Sequence, residues 1–370
     1  MKEPLFCRWC NAMLSESEVD TVTLPVTIDG VETTQEAFWC PDCDGLSFFD
    51  PSKDRRRMLL FVEGRNDNGL SEYAPAPRSG LRKRLSPLRY PGGKSRAIDS
   101  IYAALLPHKL TTFVELFAGG ASLGLSLLEA GKIDRLILND LDFNVANFWR
   151  CVIRRGDDFA DMVLSHPSFT RDDFFSAKEI LESRTLHPDD SLTRAFSFLL
   201  INRLSFGGIQ MACPMGGKDD DPQKLLSRWN PQTLADRIRA IYSMRDRIEI
   251  HIKDAETFFS EFAGWLPSDS TIFIDPPYLG AGPRLYPLSY QGKHEELADT
   301  INTFFMSYPG PDIVLTYDDE IDRLRELYPY ADIKRLPHSW SIGKYKCGCF
   351  NPRPCVEANS KIAQIATTMQ

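Results

Sequence analysis

Thr271–Tyr278 reads Thr-Ile-Phe-Ile-Asp-Pro-Pro-Tyr, and this stretch determines what kind of sheet the chain builds. The apolar run Ile272–Ile274 has the length and β-branched content of a buried parallel strand. The two prolines that follow cannot continue a strand ladder, so the chain leaves the sheet in a rigid turn. Such a turn lies at the carboxyl end of its strand, where open α/β sheets hold their ligands. Asp275, the Pro276 carbonyl and the Tyr278 ring supply two acceptors and a stacking surface, which suit an exocyclic amine.

A glycine-rich turn earlier in the chain predicts the second half of this site. A strand is predicted over 112–116, and Phe117-Ala118-Gly119-Gly120-Ala121-Ser122 follows it and opens a helix. A turn without bulky side chains lets the backbone pass close beneath a cofactor. The next strand is predicted over 136–139, and Asp140 at its end stands where a ribose-binding carboxylate belongs. Asp142 is the alternative, and either acid also suits the N-cap of the following helix.

Two motifs resemble those of a known enzyme family. Asp275-Pro276-Pro277-Tyr278 resembles the catalytic tetrapeptide of S-adenosylmethionine-dependent DNA amino-methyltransferases. Arg89-Tyr90-Pro91-Gly92-Gly93-Lys94 is similar to the N-terminal cofactor motif of the Dam-like adenine-N6 branch, and the order of the motifs is also that of this branch. Ala121 departs from the family pattern Phe-x-Gly-x-Gly at its second glycine. The resemblance implies an α/β fold, with a Rossmann-like methyltransferase domain and a helical target-recognition insert.

The resemblance also implies roles for individual residues. An adenine flipped out of double-stranded DNA would stack on Tyr278, and its N6 amine would donate hydrogen bonds to Asp275 and to the Pro276 carbonyl. S-adenosylmethionine would be the methyl donor, and the transfer would be direct. The implied catalytic residues are Asp275, Pro276, Pro277 and Tyr278, and the implied cofactor-binding residues are Tyr90, Lys94, Glu115, Phe117, Gly119, Asp140, Asp254 and Asp275.

Residues 151–250 interrupt the alternation of strands and helices with a mostly helical, charged pattern. The segment is too long for a loop, so it predicts a separate helical lobe. In the Dam-like family this insert is the target-recognition domain, which leaves 85–150 and 251–370 as the methyltransferase domain. Arg203 and Lys218 are candidate DNA contacts or ordinary surface residues.

The first part of the chain, residues 1–62, carries two cysteine pairs of the form Cys-x-x-Cys. An alternating pattern over 19–28 and the dipeptide Asp29-Gly30 predict a β-hairpin between the pairs. Two such pairs brought together by a hairpin form the four-thiolate site of a structural zinc ribbon. The predicted zinc ligands are therefore Cys7, Cys10, Cys40 and Cys43; the alternative is two unliganded thiol turns. DNA, a protein partner and simple bracing of the N-terminus all stay open as roles of this zinc module.

Residues 63–84 are rich in glycine, proline and asparagine and predict a linker. The linker leads into a run of cations with no acid between them, which fits either contact with a nucleic-acid backbone or a solvated surface. These cations are Arg78, Arg82, Lys83, Arg84, Arg89, Lys94 and Arg96.

Composition limits the remaining possibilities. No apolar run has the length of a membrane span, so a cytoplasmic protein with no membrane contact is expected. The nine cysteines suit metal binding in a reducing compartment better than a disulfide framework. The net charge of −8 does not exclude DNA as a partner, because a local basic face can bind phosphates. Cys347, Cys349 and Cys355 beside His338 form either a second metal group or an ordinary loop.

Three alternative functions stay open. An RNA or protein amine methyltransferase would share the fold, and a cytosine-N4 methyltransferase would share the catalytic turn. A non-catalytic, zinc-containing DNA-binding regulator would keep the fold without the activity; the intact Asp275, Tyr278, Gly119 and Asp140 argue against it. The residues do not determine the recognition sequence, nor a role in restriction-modification, phage defence or regulation.

Overall fold

The computed structural model describes residues 5–7, 12–28, 31–42, 46–49, 57–63, 79–81, 85–90, 93–105, 110–183, 191–216, 221–267, 269–277, 293–307, 310–318 and 320–336. Several predictions concern residues outside these ranges and stay predictions. They involve Cys10, Cys43, most of the linker, Lys218, Tyr278, and the group of Cys347, Cys349, Cys355 and His338.

The described ranges contain the following elements, numbered in chain order. The strands are β1 (Leu5–Phe6), β2 (Met13–Leu14), β3 (Asp20–Ile28), β4 (Val31–Trp39), β5 (Leu46–Phe48), β6 (Met58–Glu63), β7 (Thr112–Glu115), β8 (Arg135–Asn139), β9 (Ile248–His251), β10 (Thr271–Ile274), β11 (Asp312–Asp318) and β12 (Asp332–Leu336). The helices are α1 (Ile98–Leu105), α2 (Ser122–Glu129), α3 (Phe143–Arg154), α4 (Gly156–Leu164), α5 (Arg171–Glu182), α6 (Leu192–Leu204), α7 (Pro222–Leu226), α8 (Pro231–Tyr242), α9 (Ala255–Glu261), α10 (His294–Ser307) and α11 (Ile321–Leu327).

A seven-stranded sheet in the order β12-β6-β11-β10-β7-β8-β9 forms the centre of the molecule. Every neighbouring pair in this sheet is parallel. Its inner strands are short apolar runs, as expected for strands that are covered by helices on both faces. Thr271–Ile274, for example, is buried at every position. The α/β prediction is therefore confirmed, and the predicted strands before the glycine turn, before Asp140 and before Asp275 are all present.

The strand β6 corrects the predicted boundary of the N-terminal module, which included residues 58–62. Met58–Glu63 instead lies in the large sheet, parallel to β11 on one side and to β12 on the other. Its side chains from Met58 to Val62 are all buried, which is the pattern of a central parallel strand. Arg57 fixes the start of β6, because its guanidinium and backbone N–H both bind the carboxylate of Asp312 at the start of β11.

The described helices between 151 and 250 share a hydrophobic core with the sheet. Phe159 on α4 and Phe198 on α6 belong to the same buried cluster as Phe113 and Leu136 of the sheet. Phe148 on α3 contacts both phenylalanines, with ring centroids 5.6 Å and 5.8 Å away. The described helices of this segment therefore pack on one face of the sheet, and a separate target-recognition lobe stays a prediction.

The N-terminal residues form the predicted hairpin. β3 and β4 pair antiparallel from Asp20↔Trp39 to Ile28↔Val31, and β5 adds to β4 as a third strand. A separate cluster of buried side chains lies beside this sheet and contains Cys7, Leu14, Phe38 and Cys40. Within the described ranges, no helix is both long and apolar enough to cross a membrane.

Candidate active site

A cavity opens at the carboxyl edge of the sheet, where β7 and β10 lie side by side. From β7 the chain continues to β8 and β9 on one side, and it returns through β10 on the other. This reversal of strand order is the position at which open parallel sheets bind ligands. The space between its walls, counted together with the part open to solvent, is about 840 Å³. Its lining includes Tyr90, Lys94, Glu115, Phe117, Gly119, Asp140, Asp275 and Pro277, so most of the predicted site residues lie together.

The glycine turn forms the floor of the cavity. Gly119 has φ +44°, and Ala121 has φ +47°, a left-handed conformation that a residue with a Cβ rarely adopts. The departure from the family pattern at Ala121 therefore keeps the glycine-like backbone shape. Trp149 donates from its indole Nε1 to the Gly119 carbonyl over 3.0 Å and holds the turn from behind.

Tyr90 covers this turn from the other side. A Cβ on Gly119 would lie 2.8 Å from Cε1 of the Tyr90 ring, and one on Gly120 would lie 3.1 Å from the Tyr90 Cβ. The close contact explains in physical terms why small residues follow Phe117, and it places an aromatic face at the cavity wall.

Asp140 ties the glycine turn to the next strand. Its Oδ2 accepts a hydrogen bond from the Gly119 N–H and its Oδ1 accepts one from the Asp142 N–H, both over 2.9 Å. The pKa of Asp140 is raised to about 7 by desolvation and, to a smaller extent, by the nearby charge of Asp142, while the two backbone hydrogen bonds oppose this rise. Asp142 itself caps α3 by accepting from the Asn144 N–H, so the two acids have separate positions.

Asp275 is held by two side chains from other parts of the chain. Lys94 donates from Nζ to both carboxylate oxygens, over 2.7 Å and 2.6 Å, and Thr316 donates from Oγ1 to Oδ1 over 2.7 Å. The Lys94 side chain is 3% exposed and that of Asp275 is 20% exposed, so the acid is the member of the pair that faces the cavity. Thr316 was missed by the sequence analysis, because a threonine at the end of a strand has no distinguishing pattern.

Glu115 is a buried acid at the end of β7. Its Oε1 accepts a hydrogen bond from the Gly124 N–H over 2.6 Å. Burial raises the pKa of Glu115 to about 8; the Asp275 charge adds to this rise, while the Gly124 hydrogen bond and Lys94 oppose it. Three ionisable groups, Glu115, Lys94 and Asp275, therefore meet at the junction of β7 and β10.

One predicted cofactor residue lies elsewhere among the described residues. Asp254 is exposed and caps α9, where its two oxygens accept from the backbone N–H and the hydroxyl of Thr257. It does not belong to the cavity lining, and its proposed contact with the cofactor stays a prediction. Pro276 is buried directly after Asp275, and Tyr278 lies outside the described residues.

Comparison with known proteins agrees with this geometry. The model of the family described as "D12 class N6 adenine-specific DNA methyltransferase" matches residues 90–338. The chain belongs to this family. The match begins at Tyr90 and includes the glycine turn, Asp140, the helical insert and Asp275.

Two further comparisons are more limited. A protein named "Modification methylase StsI" from Streptococcus sanguinis is 35% identical over 65 residues, which cover 18% of this chain and 9% of that protein. The chain thus spans less than a tenth of the relative it matches. A solved structure titled "Novel epoxide hydrolases belonging to the alpha/beta hydrolases superfamily in metagenomes from hot environments" is 12% identical. The alignment covers 83% of this chain and 96% of that structure's chain, but at a TM-score of 0.15 it supports no structural conclusion.

Proposed function

We propose that the protein transfers a methyl group from S-adenosylmethionine to the N6 amine of an adenine in DNA. The observation that supports this most directly is the Asp275 carboxylate, which faces a cavity shared with the glycine turn and Asp140. Family membership gives the same reaction class. A carboxylate in this position can accept a hydrogen bond from an amine, which is what the reaction requires of the chain.

The cavity suits the proposed cofactor. A side chain added at Gly119 would collide with the Tyr90 ring, so glycine there lets this ring pack directly on the turn at the cavity wall. Asp140, Phe117 and Tyr90 would hold the nucleoside part, and S-adenosylmethionine, when bound, supplies a methyl group on a sulfonium. Lys94, predicted to meet the cofactor's carboxylate, is already bound by both oxygens of Asp275.

The chain's own contribution to the reaction is orientation and charge. Lys94 and Thr316 fix the plane of the Asp275 carboxylate, and the Lys94 ammonium compensates its charge inside the cavity. The substrate amine would donate a hydrogen bond to Asp275, which would orient its nitrogen toward the methyl donor. Fixed acceptors of this kind need no reorganisation during the reaction.

The test uses the full chain, unmethylated genomic DNA and labelled S-adenosylmethionine, followed by nucleoside analysis of the product. We expect N6-methyladenine as the product. In Asp275→Ala we expect the rate to fall by about 10²-fold or more, with cofactor affinity largely retained. Asp312→Ala is the matched control. It also removes an ion pair, between Asp312 and Arg57, but this pair lies at the start of β11, at the opposite edge of the sheet from the cavity. N4-methylcytosine as the product, methylation of RNA alone, or an active Asp275→Ala would each contradict the proposal.

We further propose that the helices between 151 and 250 contact the target DNA.

We also propose that the N-terminal module binds structural zinc. Cys7 and Cys40 are both buried in one small cluster, which supports the proposal that the cysteine pairs come together. Among the described residues no group of three or more metal-binding side chains is present, and two of the four predicted ligands, Cys10 and Cys43, lie outside them. Metal analysis of the purified chain should give one zinc ion per molecule, lost in Cys7→Ser and Cys40→Ser but retained in Cys213→Ser.

A further inference from the structure

Four arginines from three parts of the sequence gather beside the cavity. We call them the arginine cluster: Arg89, Arg203, Arg228 and Arg237. The pKa of Arg203 is lowered to about 10, mainly by burial and also by the like charges of the other three arginines. Burial also lowers the pKa of Arg89, with a second contribution from the charge of Arg228. Arg203 and Arg237 both donate to backbone carbonyls of residues 86–87, next to Arg89, and this places the arginines on one segment.

Backbone carbonyls accept hydrogen bonds from two arginines of the cluster. Arg203 donates from Nε to the Arg228 carbonyl over 2.9 Å and from Nη1 to the Pro87 carbonyl over 3.3 Å. Arg237 donates from Nη1 to the Ser86 carbonyl over 3.1 Å. These bonds fix the geometry of the Arg203 and Arg237 guanidinium groups.

Two arginines of the cluster, Arg89 and Arg203, differ in their ion pairing from their neighbour Arg239. In the described part of the chain, neither Arg89 nor Arg203 forms an ion pair with a carboxylate, although acids outnumber bases 51 to 43 in the sequence. Arg239, two residues from Arg237 on α8, is paired with Asp161 over 2.5 Å and with Asp157 over 3.9 Å. Acidic residues elsewhere on the surface do not relieve the repulsion among these arginines. An anion from outside the chain would relieve it.

The cluster is rigidly joined to the cavity wall. The Arg89 N–H donates to Asn202 Oδ1, and Asn202 Nδ2 donates to the Arg89 carbonyl, both over 2.7 Å. A Cβ on Gly208 would lie 2.2 Å from the same carbonyl, so the backbone there has no room to move. The next residue is Tyr90, which lines the cavity. Arg228 is exposed and the other three are half-buried, so a ligand can reach them from solvent.

We propose that the arginine cluster binds phosphates of the DNA strand that carries the target adenine. The inference rests on the proposed function, since it names how the substrate of that reaction is held. The planar, always-charged fork of arginine matches two phosphate oxygens, and a phosphate among several forks makes charge-assisted hydrogen bonds to more than one. Because the cluster and Tyr90 share one segment, phosphate binding places the strand directly beside the cavity mouth.

The test measures DNA binding by the full chain as a function of salt concentration. The probe is a fluorescein-labelled DNA duplex, and anisotropy gives Kd at several salt concentrations without S-adenosylmethionine. Each phosphate contact contributes about 0.9 to the slope of log Kd against log salt. We expect Arg228→Gln and Arg89→Gln each to lower the slope by about this amount, and the double variant by about twice as much. Arg239→Gln is the control and should keep the wild-type slope.

The outcomes separate this inference from the proposed function. A wild-type slope in the double variant, or an equal loss of slope in Arg239→Gln, overturns the role of the cluster even if the protein methylates adenine. A slope reduced only in the cluster variants supports it. If the slope falls only in the cluster variants but the wild-type chain transfers no methyl group, the proposed function fails and the phosphate site stands.

Discussion

Thr316→Val tests whether the hydroxyl that holds Asp275 sets the rate of methyl transfer. Thr316 is fully buried at the carboxyl end of the sheet, and its Oγ1 lies 2.7 Å from Asp275 Oδ1. Valine has a similar shape but no donor, so Asp275 would be held by Lys94 alone. A hydrogen bond to a charged group contributes about 1.5–3 kcal/mol. If this free energy serves to orient the acid, kcat falls by about 10- to 150-fold.

The assay is single-turnover methyl transfer to DNA, combined with calorimetric titration of S-adenosylmethionine. A positioning role predicts a loss in kcat with little change in cofactor affinity, and recovery of most of the rate in Thr316→Ser, which keeps the donor. A changed pH profile of kcat in the valine variant would accompany this loss. The reasoning is refuted if Thr316→Val retains the wild-type kcat, or if serine and valine are equally slow.

Three further perturbations follow from the structure. Gly119→Ala should weaken S-adenosylmethionine binding about tenfold or more, because its Cβ would meet Tyr90; Gly131→Ala shares the positive φ but has no neighbour within 4 Å, and calorimetry should show unchanged affinity. Leu60→Ala, in the middle of β6, should lower the free energy of unfolding of the whole fold by about 2–5 kcal/mol in urea titrations; a loss of under about 1 kcal/mol contradicts the strand's central place. Glu115→Gln should flatten the pH dependence of the free energy of unfolding. The raised pKa of Glu115, about 8, gives a stabilisation that is complete below pH 4.5 and is lost as pH rises to 8, by up to about 1.4 kcal/mol per pH unit. Parallel curves of unfolding free energy against pH for the two proteins, from urea titrations, would contradict this.

Much of the candidate site could be predicted because parallel strands end at one edge of a sheet. Each local pattern placed a polar residue after a short apolar run, and the sheet then brought Glu115, Asp140 and Asp275 to one cavity. Asp254 shows the limit of this logic. A short acid between a strand and a helix suits both a ligand contact and an N-cap, and in the structure Asp254 caps α9.

Other features depend on contacts between distant parts of the chain. Met58–Glu63 reads locally as a strand, but nothing in its residues says which sheet it joins, and its partners follow far along the sequence. Thr316 and the arginine cluster are similar cases. Arg228 and Arg237 look like ordinary helix-surface cations, and only the packing of residues 85–90 against the insert brings them to the cavity.

The position of β6 has a consequence for how the molecule is made. The residues at the start of β6 and of β11 that bind each other, Arg57 and Asp312, are 255 positions apart. A strand synthesised early must therefore wait for both of its neighbours before the middle of the sheet can close. A chain shortened to begin at residue 90, where the family match begins, would lack this interior strand. The edges of β11 and β12 that pair with β6 would then be left unpaired. Strand β6 and the methyltransferase body must accordingly be translated and inherited as one piece.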